Sequence, residues 1–163
     1  MAKVYLGLGS NQGDRAAHLA NARQEIANQI GKLDRVSDIY ESAPWGLIEQ
    51  PWFLNQVVRV ITPMDPWAVL EGVKYIEKKI GRLETVKWGP RLIDIDILFY
   101  NHIRLLSPDL QIPHLYLHRR AFVLWPLADI APGLVHPAYN KTVLQLIEEN
   151  DDDGQIRPFD SNE

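Results

Sequence analysis

Residues 87–100 read KWGPRLIDIDILFY, and the alternation in the second half of this stretch decides the fold. Successive side chains of a strand point to opposite faces, so Ile93, Ile95, Ile97 and Phe99 can line one face while Asp94 and Asp96 occupy the other. Aspartate is depleted in strands, and a pair spaced two apart among large apolar residues is a pattern that general strand composition does not favour. A hard divalent cation is the natural partner, because Mg²⁺ is commonly held by one or two carboxylates and completes its shell with water and substrate phosphates. Trp88, Gly89, Pro90 and Arg91 form a tight, basic, aromatic approach to the pair, which points to phosphate chemistry. The competing reading is an edge strand whose solvated face carries acids simply to discourage pairing with other chains.

Upstream of this strand, Asp65 and Pro66 open a helix with an N-cap acid and a proline at the first position. Trp67, Leu70, Val73, Ile76 and Ile80 then recur at helical spacing, and Gly81 terminates the run. Further back, Phe53 to Thr62 is rich in β-branched residues and reads as a strand, as does Arg35 to Ser42. The intervening ESAPWGLIEQPW places two prolines, a glycine, two tryptophans and an isoleucine in a loop. Large apolar groups in a loop need a reason, either packing against the body or a planar ligand. At the start, Lys3 to Leu8 alternates as a short strand and runs into GLGSNQGD. Gly7-x-Gly9 is followed by Gly13 one residue too late for a dinucleotide fingerprint, and no Lys-Ser/Thr follows for a phosphate loop. These glycines therefore read as a turn into a helix with Asp14 in its first turn, an apolar stripe of Leu19, Ala22, Ile26 and Ile30, and Gly31 as its stop.

The order strand, helix, strand, strand, helix, strand is the split βαβ arrangement of ferredoxin-like α+β folds, an antiparallel sheet with helices on one face. The Ile93, Ile95 and Ile97 side should meet those helices, and the Asp94 and Asp96 side should face a covering of loops. Downstream, Asn101-His102 is read as a hairpin turn returning the chain through IRLL, and a helical run begins near His118 that Pro126 should end or kink. His114, Arg119, Arg120 and Phe122 fall close together here as candidate ligand contacts; the competing reading, the usual fate of such residue types, makes Phe122 and Trp125 core and the arginines a solvated face. Thr142 to Asn150 reads as a last short helix, and residues 151–163 as a frayed acidic tail.

Composition narrows the classes. With 163 residues and 46% hydrophobic content the chain is read as one domain, residues 1–163, with one well-buried core. There is no cysteine, which rules out disulfides, a thiolate zinc site and a cysteine nucleophile. A formal charge of −4 argues against broad nucleic-acid binding, although much of the acid sits in Glu148 to Asp153 and leaves room for a local cationic pocket. The opening residues lack a basic region followed by an apolar signal core, and no apolar run approaches membrane-spanning length, so a cytoplasmic protein is expected.

Taken together, LGSN (8–11), YESAPWG (40–46), QPWFLN (50–55), Gly81-Arg82, WGPRLIDIDILFY (88–100), IPH (112–114) and RRAFVLWPLADIAP (119–132) resemble the 6-hydroxymethyl-7,8-dihydropterin pyrophosphokinase family of folate biosynthesis, from about Val4 to Val135. The resemblance implies transfer of diphosphate from ATP, the co-substrate, to the hydroxymethyl oxygen of the pterin, with release of AMP and the help of two Mg²⁺ ions. It implies Asp94 and Asp96 as metal ligands and catalytic groups, with Arg82 and Arg91 catalytic on the phosphates. It also implies Glu77, Trp88, Ile97, His114 and Arg120, besides the two arginines, on the ATP side. For the pterin it implies Phe53 and Phe122 as stacking rings, Asn55 on the polar edge, and Ser42, Ala43, Trp45 and Asp94 beside it. Phe53 stands where such enzymes commonly carry tyrosine, and Glu84 where a second basic residue is often found. The implied partners are the two small-molecule substrates, with no nucleic acid, no membrane and no second subunit.

Overall fold

The computed structural model describes residues 1–44, 50–81, 92–151 and 154–160. The elements in chain order are β1 (Ala2–Ser10), α1 (Arg15–Gln29), β2 (Lys32–Val36), β3 (Tyr40–Ser42), β4 (Phe53–Thr62), α2 (Pro66–Gly81) and β5 (Asp94–Tyr100). They are followed by β6 (Leu105–Leu106), β7 (Gln111–Ile112), a 3₁₀ turn (Leu117–Arg119), α3 (Ala121–Ile130), β8 (Val135–His136), β9 (Lys141–Thr142), α4 (Val143–Glu149) and β10 (Ile156–Pro158). The main sheet runs β10-β3-β4-β1-β5 with β2 also on β4, and every pairing is antiparallel. This is the α+β, ferredoxin-like arrangement, with β1 and β4 central and β5 at an edge.

Local chemistry accounts for the helices. The Asp14 side chain accepts from Ala17 N at 3.1 Å and caps α1, and Asp65 does the same for α2 through Ala68 N at 2.9 Å. Leu19, Ala22 and Ile26 of α1 and Val69, Val73, Ile76 and Ile80 of α2 pack with Val4, Leu6, Leu8, Ile95 and Ile97 into the first core. Burying one such side chain is worth about 1.5–3 kcal/mol. Gly31 is needed where α1 ends, because a Cβ there would lie 2.2 Å from Ile61 O on β4. Trp67, assigned by spacing to the buried stripe, is instead 44% exposed. A row that advances by threes falls behind the 3.6-residue turn and drifts off the buried face.

The second strand expected over Arg35 to Ser42 is two strands, both on β4. Between them Ser37 replaces the ladder with its own bonds: its N–H donates to Val57 O at 2.9 Å and its Oγ accepts from Val57 N at 2.9 Å. The alternation of β5 also fails at one point. Tyr5 pairs with Phe99 and Leu6 with Ile97, so Leu98 is the extra residue of a β-bulge. The bulge turns Phe99 away from Ile93, Ile95 and Ile97 and into a second core with Tyr5, Val57 and Leu98.

That second core lies on the opposite face of the sheet, and it is α3 and α4 that cover it, through Val123, Leu124, Leu127, Val143 and Leu146. Helices therefore stand on both faces, where one face and a covering of loops were expected. Pro126 lies inside α3 without ending it. The packing of Leu124, Leu127 and Ile130 carries the helix through, at the loss of the hydrogen bond that proline nitrogen cannot donate. The hairpin expected from β5 is also redrawn. Asn101 does turn the chain, with φ 49°, but Leu105–Leu106 pairs with Gln111–Ile112 and not with β5. Thr142 caps α4 in a reciprocal pair with Gln145. The tail expected to fray from residue 151 contains β10, which adds a strand to β3.

Candidate functional site

On the second face, β1, β4 and β5 form the floor of a cavity that α3 borders through Phe122 and Val123. Gly7 pairs with Asp96 and Gly9 with Asp94, so each carboxylate stands beside a backbone position without a side chain. The nearest neighbour of a Cβ added at Gly7 would be the Leu98 side chain, at 3.4 Å, and one at Gly9 would lie 3.7 Å from Asn55 Oδ1 and 3.9 Å from Phe53. The result is a cavity of about 290 Å³ whose walls include Ser42, Ala43, Phe53, Asn55, Asp94, Asp96, Arg120 and Phe122. Of the pterin residues implied by resemblance, Ser42, Ala43, Phe53, Asn55, Asp94 and Phe122 all meet here. Trp45 lies outside the described residues.

The polar edge of this cavity is already organised. Asn55 Nδ2 donates to Ser42 Oγ at 2.7 Å and to Tyr40 O at 3.4 Å, which leaves Oδ1 over the Gly9 floor as an acceptor. Opposite, the Arg120 guanidinium lies over two rings, 5.7 Å from the Phe122 centroid and 5.6 Å from that of Tyr116. Arg120, placed by resemblance on the ATP side, thus lines the first cavity.

A second cavity, of about 210 Å³, lies along the outer edge of β5 and is lined by Glu77, Ile97, Asp96 and His114 with Lys74, Gln111 and others. Glu77 Oε2 accepts from Ile95 N at 3.0 Å. Backbone groups of an antiparallel strand alternate in direction, so Ile97, two residues on, presents its N–H and C=O to the same side. Its side chain packs in the first core. His114 N donates to Leu98 O at 3.1 Å, which fixes the histidine against the bulge. Its Nδ1 accepts from Tyr116 N at 3.4 Å. Burial holds the His114 imidazole below its ordinary range, Asp96 opposing and Arg120 assisting. A neutral ring whose Nδ1 accepts carries its proton on Nε2 and can donate it to an anion.

Asp96 lines both cavities and is exposed, while Asp94 is half-buried at the first. Two carboxylates on a floor cleared by glycine fit a hard divalent cation. Among the described residues no cluster of three or more histidine and acidic ligands forms, so the rest of such an ion's shell would be water and ligand oxygen. Arg82, Trp88 and Arg91 lie outside the described residues. The site residues that sequence reasoning misses are Gly7 and Gly9: the strand expected over Lys3 to Leu8 runs on to Ser10, so Gly9, expected in a turn, belongs with Gly7 to β1. Glycine at alternate positions inside a strand is a sign that something approaches the backbone closely, and that signal was available.

An antiparallel sheet on which Asp96 is shared by an aromatic cavity and a strand-edge cavity defines the class: a ferredoxin-like domain with two adjoining cavities of small-molecule size. The family profile of 7,8-dihydro-6-hydroxymethylpterin-pyrophosphokinase (HPPK) matches residues 5–132. The 2-amino-4-hydroxy-6-hydroxymethyldihydropteridine pyrophosphokinase of Aquifex aeolicus is 40% identical over 159 residues, covering 98% of this chain and 96% of that protein. That of Methylorubrum extorquens is 46% identical over 136 residues, covering 83% and 86%. In structure, the chain superposes on wild-type Plasmodium falciparum HPPK-DHPS with pteroate at a TM-score of 0.73 and 20% identity. That match covers 91% of this chain but 42% of the longer one, and shows the shared fold. The chain belongs to the HPPK family.

Proposed function

We propose that the two substrates of this family's reaction meet at Asp96, the residue common to both cavities. As a member of the HPPK family, the chain is a pyrophosphokinase of folate biosynthesis, transferring diphosphate from ATP to the hydroxymethyl group of 6-hydroxymethyl-7,8-dihydropterin and releasing AMP. The observation that carries the placement of the substrates is the sharing of one carboxylate by an aromatic cavity and a strand-edge cavity.

In this reading the pterin enters the first cavity, its ring between Phe53 and Phe122 and its donor edge on Asn55 Oδ1 and the main chain at Ser42 and Ala43. Stacking on both faces and matched hydrogen bonds offset the cost of taking a polar heterocycle out of water. ATP lies along the edge of β5, its base near Glu77 and the Ile97 main chain and its phosphates toward His114. Arg82, Arg91, Trp88 and Arg120 are assigned by resemblance to the phosphate side, where a guanidinium fork suits phosphate oxygens better than an ammonium. Asp94 and Asp96 would hold Mg²⁺, two ions by resemblance, and when bound these would neutralise the triphosphate and polarise the attacked phosphorus. The residues themselves position the groups and supply charge, as phosphoryl-type transfer chiefly requires, without a covalent nucleophile. The support for Mg²⁺ is the donor set and its cleared floor. We further assign the chain as a single domain, a cytoplasmic monomer without nucleic-acid or membrane partners; no helix among the described residues is long and apolar enough to cross a membrane.

Incubation with Mg²⁺, ATP and the reduced pterin tests the reading: AMP should appear in equal amount with the pterin diphosphate. ADP in place of AMP would mean that a different phosphorus is attacked. Phe122→Ala should weaken pterin binding and leave nucleotide binding nearly intact.

A further inference from the structure

We infer that the carboxyl-terminal strand β10, keyed to Glu41, is a positioning element for the pterin cavity, setting the hold on the pterin from residues that do not touch it. The inference rests on the pterin reading of the first cavity. None of residues 154–160 lines that cavity, yet they lie directly behind its wall.

β3 brings Ser42 to the cavity and is only three residues long, a length that is marginal when paired on one side alone. β10 pairs along its other side, Ile156 with Ser42, Arg157 with Glu41 and Pro158 with Tyr40. Beyond the ladder, Ala43 N donates to Gln155 O at 3.0 Å. Ser42 Oγ accepts from Asn55 Nδ2 at 2.7 Å. The orientation of the Asn55 carboxamide, and so of the acceptor offered to the pterin edge, therefore depends on where β10 holds Ser42.

The ionic contacts tie both ends of the wall to one point. Glu41 Oε1 accepts from Arg157 Nε at 3.0 Å and Nη2 at 2.7 Å, and Oε2 accepts from Arg15 Nη1 at 2.7 Å. The same Arg15 nitrogen donates to Trp52 O at 2.8 Å. The Arg157 guanidinium lies 4.5 Å from the Trp52 ring centroid. The chain that enters the wall at Glu41–Ala43 and the chain that leaves it at Trp52–Phe53 thus share two cations. Phe159 completes the attachment, packing on the first core and lying 5.9 Å under the Arg15 guanidinium.

The strength of this arrangement is unevenly divided. The Arg157 side chain is 63% exposed, and an exposed ion pair by itself contributes little. Glu41 is the better-buried partner, with its side chain 13% exposed. Burial pushes the Glu41 carboxyl up, but the hydrogen bonds from Arg157 and Arg15 more than reverse this and hold it below the usual carboxylate range. Glu41 and the ladder carry the positioning, with Arg157 as the link between them.

Two variants test the inference: Glu41→Gln in the full chain, and a chain ending at Asn150. Each is titrated calorimetrically with the pterin and separately with a non-hydrolysable ATP analogue plus Mg²⁺, with folding followed by circular dichroism. For Glu41→Gln the pterin Kd should rise about tenfold, in line with the loss of charge-assisted hydrogen bonds, while the ATP-analogue Kd stays within about twofold. The shortened chain should lose more pterin affinity in the same pattern, and pterin KM should rise while kcat is retained. Unchanged pterin affinity in Glu41→Gln, or equal loss for both ligands, overturns the inference, and this variant decides if the shortened chain does not fold. An unaltered protein that binds the pterin but makes no AMP would overturn the activity and leave the positioning role to the affinity comparison. One that does not bind the pterin overturns both.

Discussion

Asp96 on β5 stands directly opposite Gly7 on β1, and Asp96 borders both the aromatic cavity and the strand-edge cavity. Asp94 has the same relationship with Gly9. The acidic pair is placed by β5, and β1 contributes Gly7 and Gly9 to the cavity floor beside it, an arrangement neither strand provides alone.

Filling this floor should block the ligand without unfolding the chain. The neighbours of a Cβ at Gly9 are at ordinary contact distance, the closest at 3.7 Å. Gly9→Val puts a branched side chain suited to a strand between Asn55 and Phe53. Its Tm should lie within a few degrees of the unaltered protein, and pterin affinity measured by calorimetry should fall at least tenfold, roughly the effect of misfitting one well-packed group.

The carboxylates are expected to matter for turnover and little for folding. Asp94→Asn and Asp96→Asn should each lower kcat by roughly a thousandfold, the scale of losing an electrostatic stabiliser of the transition state, and shift the Mg²⁺ dependence to higher concentration. Asp96 is exposed on a strand edge, so Asp96→Asn should leave the melting temperature nearly unchanged. A Mg²⁺ titration of initial rates with thermal melting checks both parts.

Glu77 should report on the nucleotide alone. Its Oε2 accepts from Ile95 N at the outer edge of β5, beside the main chain assigned to the base. Glu77→Gln keeps an acceptor and should retain most ATP-analogue affinity, whereas Glu77→Ala should weaken it several-fold, as expected for one lost hydrogen bond to a charged group. Pterin affinity, measured in parallel, should not move.

The third testable region lies away from both cavities. Burial, with smaller contributions from His118 and Arg104, depresses the His136 imidazole from 6.5 to about 4. Its Nδ1 accepts from Ala138 N at 3.1 Å and Tyr139 N at 3.4 Å, a role that needs the nitrogen unprotonated. On acidification the unfolded chain takes up this proton first. The contribution of His136 to stability is therefore complete above pH 6.5 and is lost as the pH falls toward about 4. Urea melts between pH 7 and 4 should show this decline, with His114 and His118 adding in the same direction. His136→Asn, which can keep an acceptor near Nδ1, should flatten it.

Much of the fold was legible because it follows from local pattern. The cap at Asp65, the stripes of α1 and α2, and the alternation from Ile93 to Ile97 are set by residues within a turn or two of each other, whereas Asp14, expected inside the first turn of α1, is its cap. The candidate site was legible in a different way. Nothing local joins Phe53 to Phe122, and these residues were linked only because the ordered motifs resemble a known family. Gly9 falls outside the expected strand, and the place of both β1 glycines beside the acidic pair is not legible, because it depends on the neighbouring strand and not on their own spacing.

The sequence by itself determined the helices α1 and α2 with their limits, the strands β1, β4 and β5, the acidic face of β5 and the absence of cysteine chemistry, since propensity, capping and period act over short distances. Tertiary structure alone decided four things: the Leu98 bulge that turns Phe99, the break at Ser37, the covering of the second face by α3 and α4, and the seating of β10 against β3. Each depends on a partner far away in the chain, and pairing across such distances is chosen by shared burial and hydrogen bonding that no local window contains.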